Sequence, residues 1–134
     1  ILTNHPKLSW AYTKVWPKVI DRINVARAAN LGVRRVCAKL SLAHEILLDG
    51  SLKLPAHIPH EVIIKGDEKI PVIAAASIIA KVVRDRTMLR LHKKYPQYRF
   101  DLHKGYGTKL HKSLIKQFGI SDVHRKSFKI RNQK

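Results

Sequence analysis

Acidic residues and cysteine are scarce in this sequence, and each shortage narrows the range of functions. Nine of the 134 residues are Asp or Glu against 27 Lys and Arg, which gives a formal net charge of +18. So large a positive charge favours a polyanionic partner, which can be RNA, DNA or an anionic membrane surface. Cys37 is the one cysteine. An internal disulfide and most zinc sites are therefore excluded, and the apolar sequence around Cys37 indicates a packing thiol.

Long apolar runs are also lacking. No stretch approaches the ~20 apolar residues of a membrane span. The start, ILTNHPKLSW, lacks the charged residues followed by an apolar stretch that are typical of a signal peptide. We therefore expect a cytoplasmic protein with no membrane partner and no small-molecule cofactor. With 45% apolar residues, no repeat and no low-complexity linker, residues 1–134 are expected to form a single domain.

The first half of the sequence alternates between strand and helix signals. The aromatic, alternating stretch LSWAYTKVW at 8–16 predicts a strand. Apolar spacing over 18–40 predicts a helix, which Gly32 weakens locally. EILLDG at 45–50 and EVIIKGD at 61–67 are short continuous apolar runs, a pattern typical of strands that are covered on both faces.

A long helix signal follows and begins at an acid. Asp67 is suited to cap this helix, and residues 70–83 are apolar almost all round, so they are expected to be buried. A shorter helix is expected at 109–118, with Thr108 as its cap and Gly119 at its end. The order strand, helix, strand, strand, helix, helix indicates an α/β fold in which several strands can be parallel.

Two of the apolar runs end at acids, Asp49 and Asp67. In open α/β sheets functional residues gather beyond the carboxyl ends of the strands, so parallel neighbouring strands would bring these carboxylates together. A close carboxylate pair must protonate, meet cations or bind metal, and its hard oxygen atoms suit Mg²⁺ or Mn²⁺. On a basic surface this pattern favours metal-assisted phosphoryl chemistry on a nucleic acid. The alternatives are conformational, since LDG is also a turn and Asp67 can serve as a cap alone.

The glycine-containing loop HKGYGTK, residues 103–109, offers further contacts to a nucleic acid. Tyr106 lies between two glycines, so a ligand can approach the backbone and the ring can lie on a sugar or a base. An exposed loop tyrosine is the alternative. Lys104 and His103 are candidate phosphate contacts rather than a general base, and a solvated loop charge is the alternative for them.

Further candidates for phosphate binding are Ser77, Lys81 and Arg84 on the long helix. Packing or ordinary solvation is the alternative for each, and Ser77 can bond a backbone carbonyl one turn back. His124 and Arg125 in the basic tail can also touch a backbone phosphate. The eight histidines of the chain show no spacing typical of a metal site.

Four segments, in this order and spacing, closely resemble the C-terminal portion of bacterial ribonuclease HII: LLDG, KGDEKIPVIAAASIIAKVVRDRTM, KKYPQYRFDLHKGYGTKLH and HRKSF. The earlier segment IDRINVARAANLGVRR resembles the helix that precedes the aspartate strand in that family. The resemblance runs from about Leu8 to Phe128, which is nearly the whole chain. The helix and the HKGYGT loop together make it specific.

The resemblance implies a ribonuclease H-like fold, in which a mixed sheet is flanked by helices. It implies an endonuclease that cleaves the RNA strand of RNA–DNA hybrids and incises 5′ to a ribonucleotide in duplex DNA, leaving 3′-hydroxyl and 5′-phosphate ends. Four carboxylates hold Mg²⁺ or Mn²⁺ in that family. Asp49 and Asp67 match two of these catalytic metal ligands, and Tyr106 matches the tyrosine that packs against the ribonucleotide sugar.

One departure from the family is large. Its other two carboxylates are an adjacent Asp-Glu pair on the first strand, followed by a Gly-Arg-Gly element, and neither has a counterpart ahead of the first helix here. The first three strands of the family sheet are therefore expected to be missing. Two carboxylates do not neutralise two divalent cations, and a missing strand leaves a sheet edge unpaired. The alternatives to an active nuclease are thus an inactive fragment and a basic nucleic-acid-binding module.

Overall fold

The computed structural model describes residues 7–40 and 45–128 of the chain. The chain falls into two compact units, Ile1–Ala80 and Lys81–Lys134. The expectation of a single domain stays a prediction. Among the described residues, no helix has both the length and the apolar character that a membrane crossing needs.

A two-stranded parallel sheet and short helices build the first unit. Its elements are α1 (Pro17–Ile23), α2 (Val25–Cys37), β1 (Leu47–Asp49), β2 (Glu61–Ile63), α3 (Gly66–Lys69) and the start of α4 (Pro71–Lys94). In the register of the sheet, Leu47 pairs with Glu61 and Asp49 pairs with Ile63. The expected α/β class and the parallel pairing of the two strands are confirmed. β1 ends at Asp49, whereas β2 ends at Ile63, ahead of Asp67 in α3.

Residues 8–16 carry no strand, so that prediction is wrong. In the described part of the chain the sheet has two strands, and they pair with each other. Alternation and aromatic residues give this segment a surface that suits a sheet, but a strand also needs a neighbour for its backbone hydrogen bonds.

The predicted helix over 18–40 is two helices, and the break lies at Asn24 rather than at Gly32. Asn24 has a positive φ of 66°, and its side-chain oxygen accepts a hydrogen bond from the Arg27 N–H at 3.0 Å. Residues other than glycine rarely adopt this backbone conformation, and the Asn24 side chain caps the helix that follows it. Gly32 stays inside α2, where Thr13 and Val15 of the preceding segment approach it.

The long helix begins at Pro71, and the prediction that Asp67 caps it is wrong. Ile70 has an extended backbone with φ −119° and ψ 114°, because the residue before a proline avoids the helical region. Asp67 lies instead in the first turn of α3, whose N-cap is Lys65. A carboxylate in that first turn still interacts favourably with the free N–H groups of the helix.

The apolar positions 70–83 are mostly not buried in this structure. Ile73 is buried, whereas Val72, Ile78 and Val82 are exposed. A helix that is apolar all round needs cover on every side. The described residues do not supply this cover, so the predicted burial is wrong for the chain by itself.

The second unit contains the rest of α4, a 3₁₀ turn (Pro96–Tyr98), α5 (Phe100–His103) and α6 (Lys109–Phe118). The predicted shorter helix is confirmed in full. The Thr108 hydroxyl accepts the His111 N–H at 3.2 Å, and Gly119 ends the helix with a φ of 75°. Of the basic tail, residues 129–134 lie outside the described ranges.

Packed rings form the core of the second unit. Tyr98, Phe100, His103 and His111 are buried. The His103 and His111 rings stack with 4.1 Å between their centroids, and the His124 ring lies 4.7 Å from Tyr98. Because polar rings in a core need hydrogen-bond partners, the protons of these histidines can be assigned from their neighbours.

Two backbone N–H groups fix the tautomers of His103 and His124. The Gly105 N–H donates to His103 Nδ1 at 3.1 Å, so His103 carries its proton on Nε2 and donates it to the Tyr98 carbonyl at 2.7 Å. The Ser121 N–H donates to His124 Nδ1 at 3.1 Å, which places the His124 proton on Nε2.

A line of hydrogen bonds then runs from His124 to the loop before α6. His124 Nε2 donates to His111 Nε2 at 3.2 Å, and His111 Nδ1 donates to the Tyr106 carbonyl at 2.9 Å. This line requires neutral rings. Burial lowers the pKa of His111, and burial together with the charges of His111 and His103 lowers the pKa of His124 to about 4.

The stability of the second unit should therefore fall as the solution becomes acidic. Below the ordinary histidine value of 6.5 the unfolded chain binds protons that the folded His111 and His124 do not bind. Unfolding is consequently favoured as the pH falls from about 6.5 towards about 4. The effect is measured as the difference between the urea midpoints of unfolding at pH 7 and at pH 4.5, with the NMR peaks of α6 as the probe of unfolding.

Substitution of His124 tests whether the buried histidines cause this dependence of stability on pH. His124→Gln should reduce the change in midpoint between the two pH values. His57→Gln, at an exposed loop position of the first unit, should leave that change as it is in the unmodified chain. Equal midpoints at pH 7 and pH 4.5 in the unmodified chain would contradict the assignment.

Candidate functional site

Asp49 ends β1, and a backbone N–H fixes its carboxylate. The Gly66 N–H donates to Asp49 Oδ1 at 2.8 Å, and Asp49 is half-buried. A Cβ at position 66 would lie 2.7 Å from Ile73 Cδ1 and 3.3 Å from Asp49 Oδ1. A side chain at this position would therefore require Ile73 and the Asp49 carboxylate to shift, where α3 approaches the end of β1.

Asp67 follows Gly66 directly and is exposed in the first turn of α3. The hydrogen bond thus ties Asp49 to the residue that immediately precedes Asp67. The neighbouring Glu68 is held by Lys65, with 3.3 Å between the Lys65 ammonium and a Glu68 oxygen. The structure places both predicted acids at the carboxyl end of the sheet, and their roles as metal ligands stay predictions.

Asp49 and Asp67 are predicted to supply part of a ligand set for a hard divalent cation. Within residues 7–40 and 45–128, no three His, Cys, Asp or Glu side chains are grouped so that they could hold a metal ion. Mg²⁺ takes roughly six oxygen ligands and is often held by one or two carboxylates with water and phosphate oxygens. The carboxylate chemistry therefore fits such an ion, and further ligands have to come from elsewhere.

An open, mainly apolar groove of about 920 Å³ lies beside Asp49. Its walls come from the end of α2, from β1 and from the start of α4. Ser77 lines the groove together with Asp49, and it is exposed there. The groove leaves apolar side chains such as Leu47 and Val72 without full cover from the described residues.

A cationic surface surrounds Tyr106 in the second unit. The Arg84 guanidinium lies 3.9 Å from the centre of the exposed Tyr106 ring, and the Lys81 ammonium lies 5.7 Å from it. Arg84 also donates to the Lys104 carbonyl at 2.8 Å, which fixes the guanidinium between the helix and the loop. Asp85 pairs with Lys81 at 3.7 Å and so offsets part of this positive charge.

The backbone of the loop is shaped by left-handed residues. Lys104 and Gly105 have φ values of 46° and 77°. The positive φ of Gly105 favours glycine, and a Cβ there would lie 2.9 Å from the Met88 methyl group, which would have to move. The Tyr106 N–H donates to the His103 carbonyl at 2.8 Å, and this bond closes the turn that presents the tyrosine.

Lys104 and His103 have local partners within the second unit. The Lys104 ammonium donates to the Asp101 carbonyl at the end of α5. His103 is buried, and both of its ring nitrogens bond to the backbone. Their predicted contacts with substrate phosphates stay predictions, and for His103 such a contact would need the ring to leave its present bonds.

Sequence reasoning misses His111, which holds the Tyr106 carbonyl. It treats His124 as a phosphate contact, whereas the structure places that ring against Tyr98 and His111. A weak signal is available for His111, because it lies three residues after the capping Thr108 and so in the first turn of α6. No spacing signal could have linked it to His124, thirteen residues further along the chain.

Comparisons with known proteins bear on this arrangement. A family model described as Ribonuclease HII matches residues 12–131. The chain is 47% identical over 128 residues to ribonuclease HII of Chlamydia caviae, an alignment that covers 96% of this chain and 60% of the relative. It is 52% identical over 114 residues to ribonuclease HII of Bacillus anthracis, covering 85% of this chain and 44% of that relative.

The chain thus spans between 44% and 60% of the length of these curated relatives. Its α/β structure with a small parallel sheet is consistent with a ribonuclease H-like fold that lacks some strands. The match covers most of the chain and includes Asp49, Asp67 and the loop of Tyr106. The chain belongs to the ribonuclease HII family.

Proposed function

We propose that this chain forms part of a divalent-metal-dependent endoribonuclease that hydrolyses phosphodiester bonds at ribonucleotides. The substrates would be the RNA strand of RNA–DNA hybrids and duplex DNA with embedded ribonucleotides, which are incised on the 5′ side. The observation that carries this proposal is the hydrogen bond from the Gly66 N–H to the Asp49 carboxylate, which holds Asp49 beside the turn that contains Asp67. The chain that makes this bond is a member of the ribonuclease HII family. A pure binding module has no need of two acids at a strand end in a chain with a net charge of +18.

Asp49 and Asp67 would hold Mg²⁺ or Mn²⁺ through their carboxylate oxygens. When bound, such ions lower the pKa of water and stabilise charge on the attacking and leaving oxygens of a phosphodiester. The Gly66 N–H occupies one acceptor site of Oδ1, and the other lone pairs of the carboxylate stay available to an ion. The hydrogen bond thereby fixes the direction in which the other oxygen points.

Tyr106 would detect the ribonucleotide through its sugar. Arg84 lies against the ring and stays partly exposed, so it can meet a phosphate while Tyr106 packs on the neighbouring sugar. Lys81 adds a second positive charge to the same surface. Ser77 and Lys104 are proposed as further contacts to the substrate backbone, and Ser77 lies on the groove that Asp49 also lines.

The remaining ligands would come from the part of the family domain that has no counterpart in this sequence. β1 pairs with β2 on one side, and the apolar groove runs beside it. A strand with an Asp-Glu pair could therefore add to the sheet next to β1 and cover the groove. The resulting site would have the four carboxylates that the family resemblance implies.

Asp49→Asn should remove metal-dependent incision. The test uses a fusion protein, in which the N-terminal segment of ribonuclease HII from Chlamydia caviae precedes this chain. The substrate is a DNA duplex that contains one ribonucleotide. Since even neighbours of a metal ligand contribute 10- to 100-fold, loss of the ligand itself should lower the rate by at least about 100-fold. The readout is the amount of product cut 5′ to the ribonucleotide, with Mg²⁺ or Mn²⁺ and with a chelator.

Glu61→Gln is the matched control, because Glu61 is an exposed acid at the start of β2, at the end of the sheet opposite to Asp49. It should incise at the unmodified rate. A near-normal rate for Asp49→Asn would remove Asp49 from the metal site. Tight, salt-sensitive binding of the duplex without any incision by the unmodified fusion would favour a non-catalytic binding module.

Tyr106→Ala should impair cleavage at an isolated ribonucleotide. Stacking on an aromatic side chain contributes about 1–3 kcal/mol, so a loss of roughly 10-fold or more in single-turnover rate is expected. Tyr106→Phe keeps the ring over which Arg84 lies and should stay close to the unmodified rate. Equal rates for the alanine variant and the unmodified fusion would take Tyr106 out of ribonucleotide recognition.

A further inference from the structure

Three aromatic residues and one lysine occupy every second position of the segment before α1. These are Trp10, Tyr12, Lys14 and Trp16, and we call them the aromatic strip. The segment has no helix or turn between residues 8 and 16. The Trp10 ring lies beside the Tyr12 ring, and the Lys14 ammonium lies near both the Tyr12 and the Trp16 rings, so the four residues share one face.

The opposite face of the segment lies on α2. Position 32 is the contact point, since a Cβ there would lie 3.6 Å from the Thr13 methyl group and 3.9 Å from a Val15 methyl group. Lys39, just beyond α2, donates to the Tyr12 carbonyl at 2.8 Å. These contacts hold the segment against the helix and turn the aromatic strip outward.

The rings of the strip remain accessible although they are large and apolar. Trp10 is 39% exposed, Tyr12 40% and Trp16 53%. Together with Lys14 and Lys39 they line a shallow depression of about 560 Å³. Large exposed rings grouped with cations in this way mark a candidate binding surface.

The chemistry of the strip combines flat rings with cations. The Trp10 and Tyr12 rings lie nearly parallel, with 6.1 Å between centroids and 16° between planes. The Lys14 ammonium lies 5.9 Å from the Tyr12 ring and 6.0 Å from the Trp16 ring, and Lys39 lies 5.9 Å from Tyr12. No acid is found among the described residues that line the depression.

We propose that the aromatic strip binds single-stranded nucleic acid. Bases would stack on the Trp16 and Tyr12 rings, and the phosphates between them would meet Lys14 and Lys39. Rings interleaved with cations are the arrangement that takes up single strands without reading sequence, because every base has a flat face and every nucleotide a charge. A duplex hides its base faces, so the strip selects for unpaired nucleotides.

This site goes beyond the proposed nuclease function and does not depend on it. None of its residues belongs to the acid pair or to the Tyr106 surface. Binding to the strip needs no metal, whereas incision does. Failure of one proposal therefore leaves the other standing, and the two are measured by separate readouts.

Tryptophan fluorescence reports directly on the strip, because Trp10 and Trp16 are the two tryptophans of the chain. Titration of the full chain with an oligothymidylate of about 12 nucleotides, without divalent metal, should quench this fluorescence to saturation. Added salt should weaken the binding, since phosphate contacts release counterions. A duplex of the same length should quench less at equal concentration.

Two substitutions locate the binding. Trp16→Ala should raise the Kd for a labelled oligothymidylate by about 5-fold or more, and Trp16→Phe should raise it less because it keeps a ring. Lys14→Gln should weaken binding and lower the slope of log K against log salt by about 0.7. Lys18→Gln is the matched control, because Lys18 is an exposed lysine on α1 that contacts no ring of the strip. This variant should keep the Kd and the salt slope of the unmodified chain.

Three results would overturn the proposal. The first is an absence of quenching at low salt. The second is quenching that persists unchanged in both Trp16→Ala and Lys14→Gln. The third is fluorescence that depends on protein concentration alone, with a dimer in sedimentation, because a second copy of the chain would then be the occupant of the strip.

Discussion

The hydrogen bond from the Gly66 N–H to the Asp49 carboxylate is the contact on which the candidate site depends. It joins the end of β1 to the start of α3, and it exists because parallel pairing of β1 and β2 brings both carboxyl ends to one edge. A side chain at position 66 would push against Ile73 and against the carboxylate itself. The backbone N–H of Gly66 thus links the Asp49 carboxylate to the turn that carries Asp67.

The second unit presents its candidate surface through a different kind of interaction. The rings of His103 and His111 hold the loop of Tyr106 through hydrogen bonds to the Gly105 N–H and to the Tyr106 carbonyl. Arg84 then covers the tyrosine ring and bonds to the same loop. These hydrogen bonds fix the shape of the loop that presents Tyr106.

Sequence reasoning predicts the parts of the fold that local chemistry determines. The α6 helix follows from Thr108 and Gly119, and the parallel strands follow from two short apolar runs. It fails where a partner outside the segment decides, as at residues 8–16, which have strand composition but no neighbouring strand among the described residues. It also fails at Ile70, where the effect of Pro71 on the preceding residue outweighs the helix pattern.

The candidate site shows the same division. The positions of Asp49, Asp67 and Tyr106 can be predicted because acids at strand ends and a tyrosine between glycines are local patterns. The burial of His103 and its partnership with Gly105 depend on ring packing in the second unit, which no sequence spacing reveals. The sequence pattern predicts that Val72 and Ile78 on α4 are buried, whereas both are exposed. A sequence pattern cannot show whether another element is present to pack on these side chains.

Paramagnetic broadening by Mn²⁺ tests most directly whether the acid pair is a metal site. In an amide-resolved NMR spectrum of this chain fused to the N-terminal segment of the Chlamydia caviae relative, sub-stoichiometric Mn²⁺ should selectively broaden the peaks of Asp49, Gly66 and Asp67, and excess Mg²⁺ should restore them. Uniform weak broadening over the whole chain, or selective broadening centred on other acids, would contradict the assignment of Asp49 and Asp67 as metal ligands.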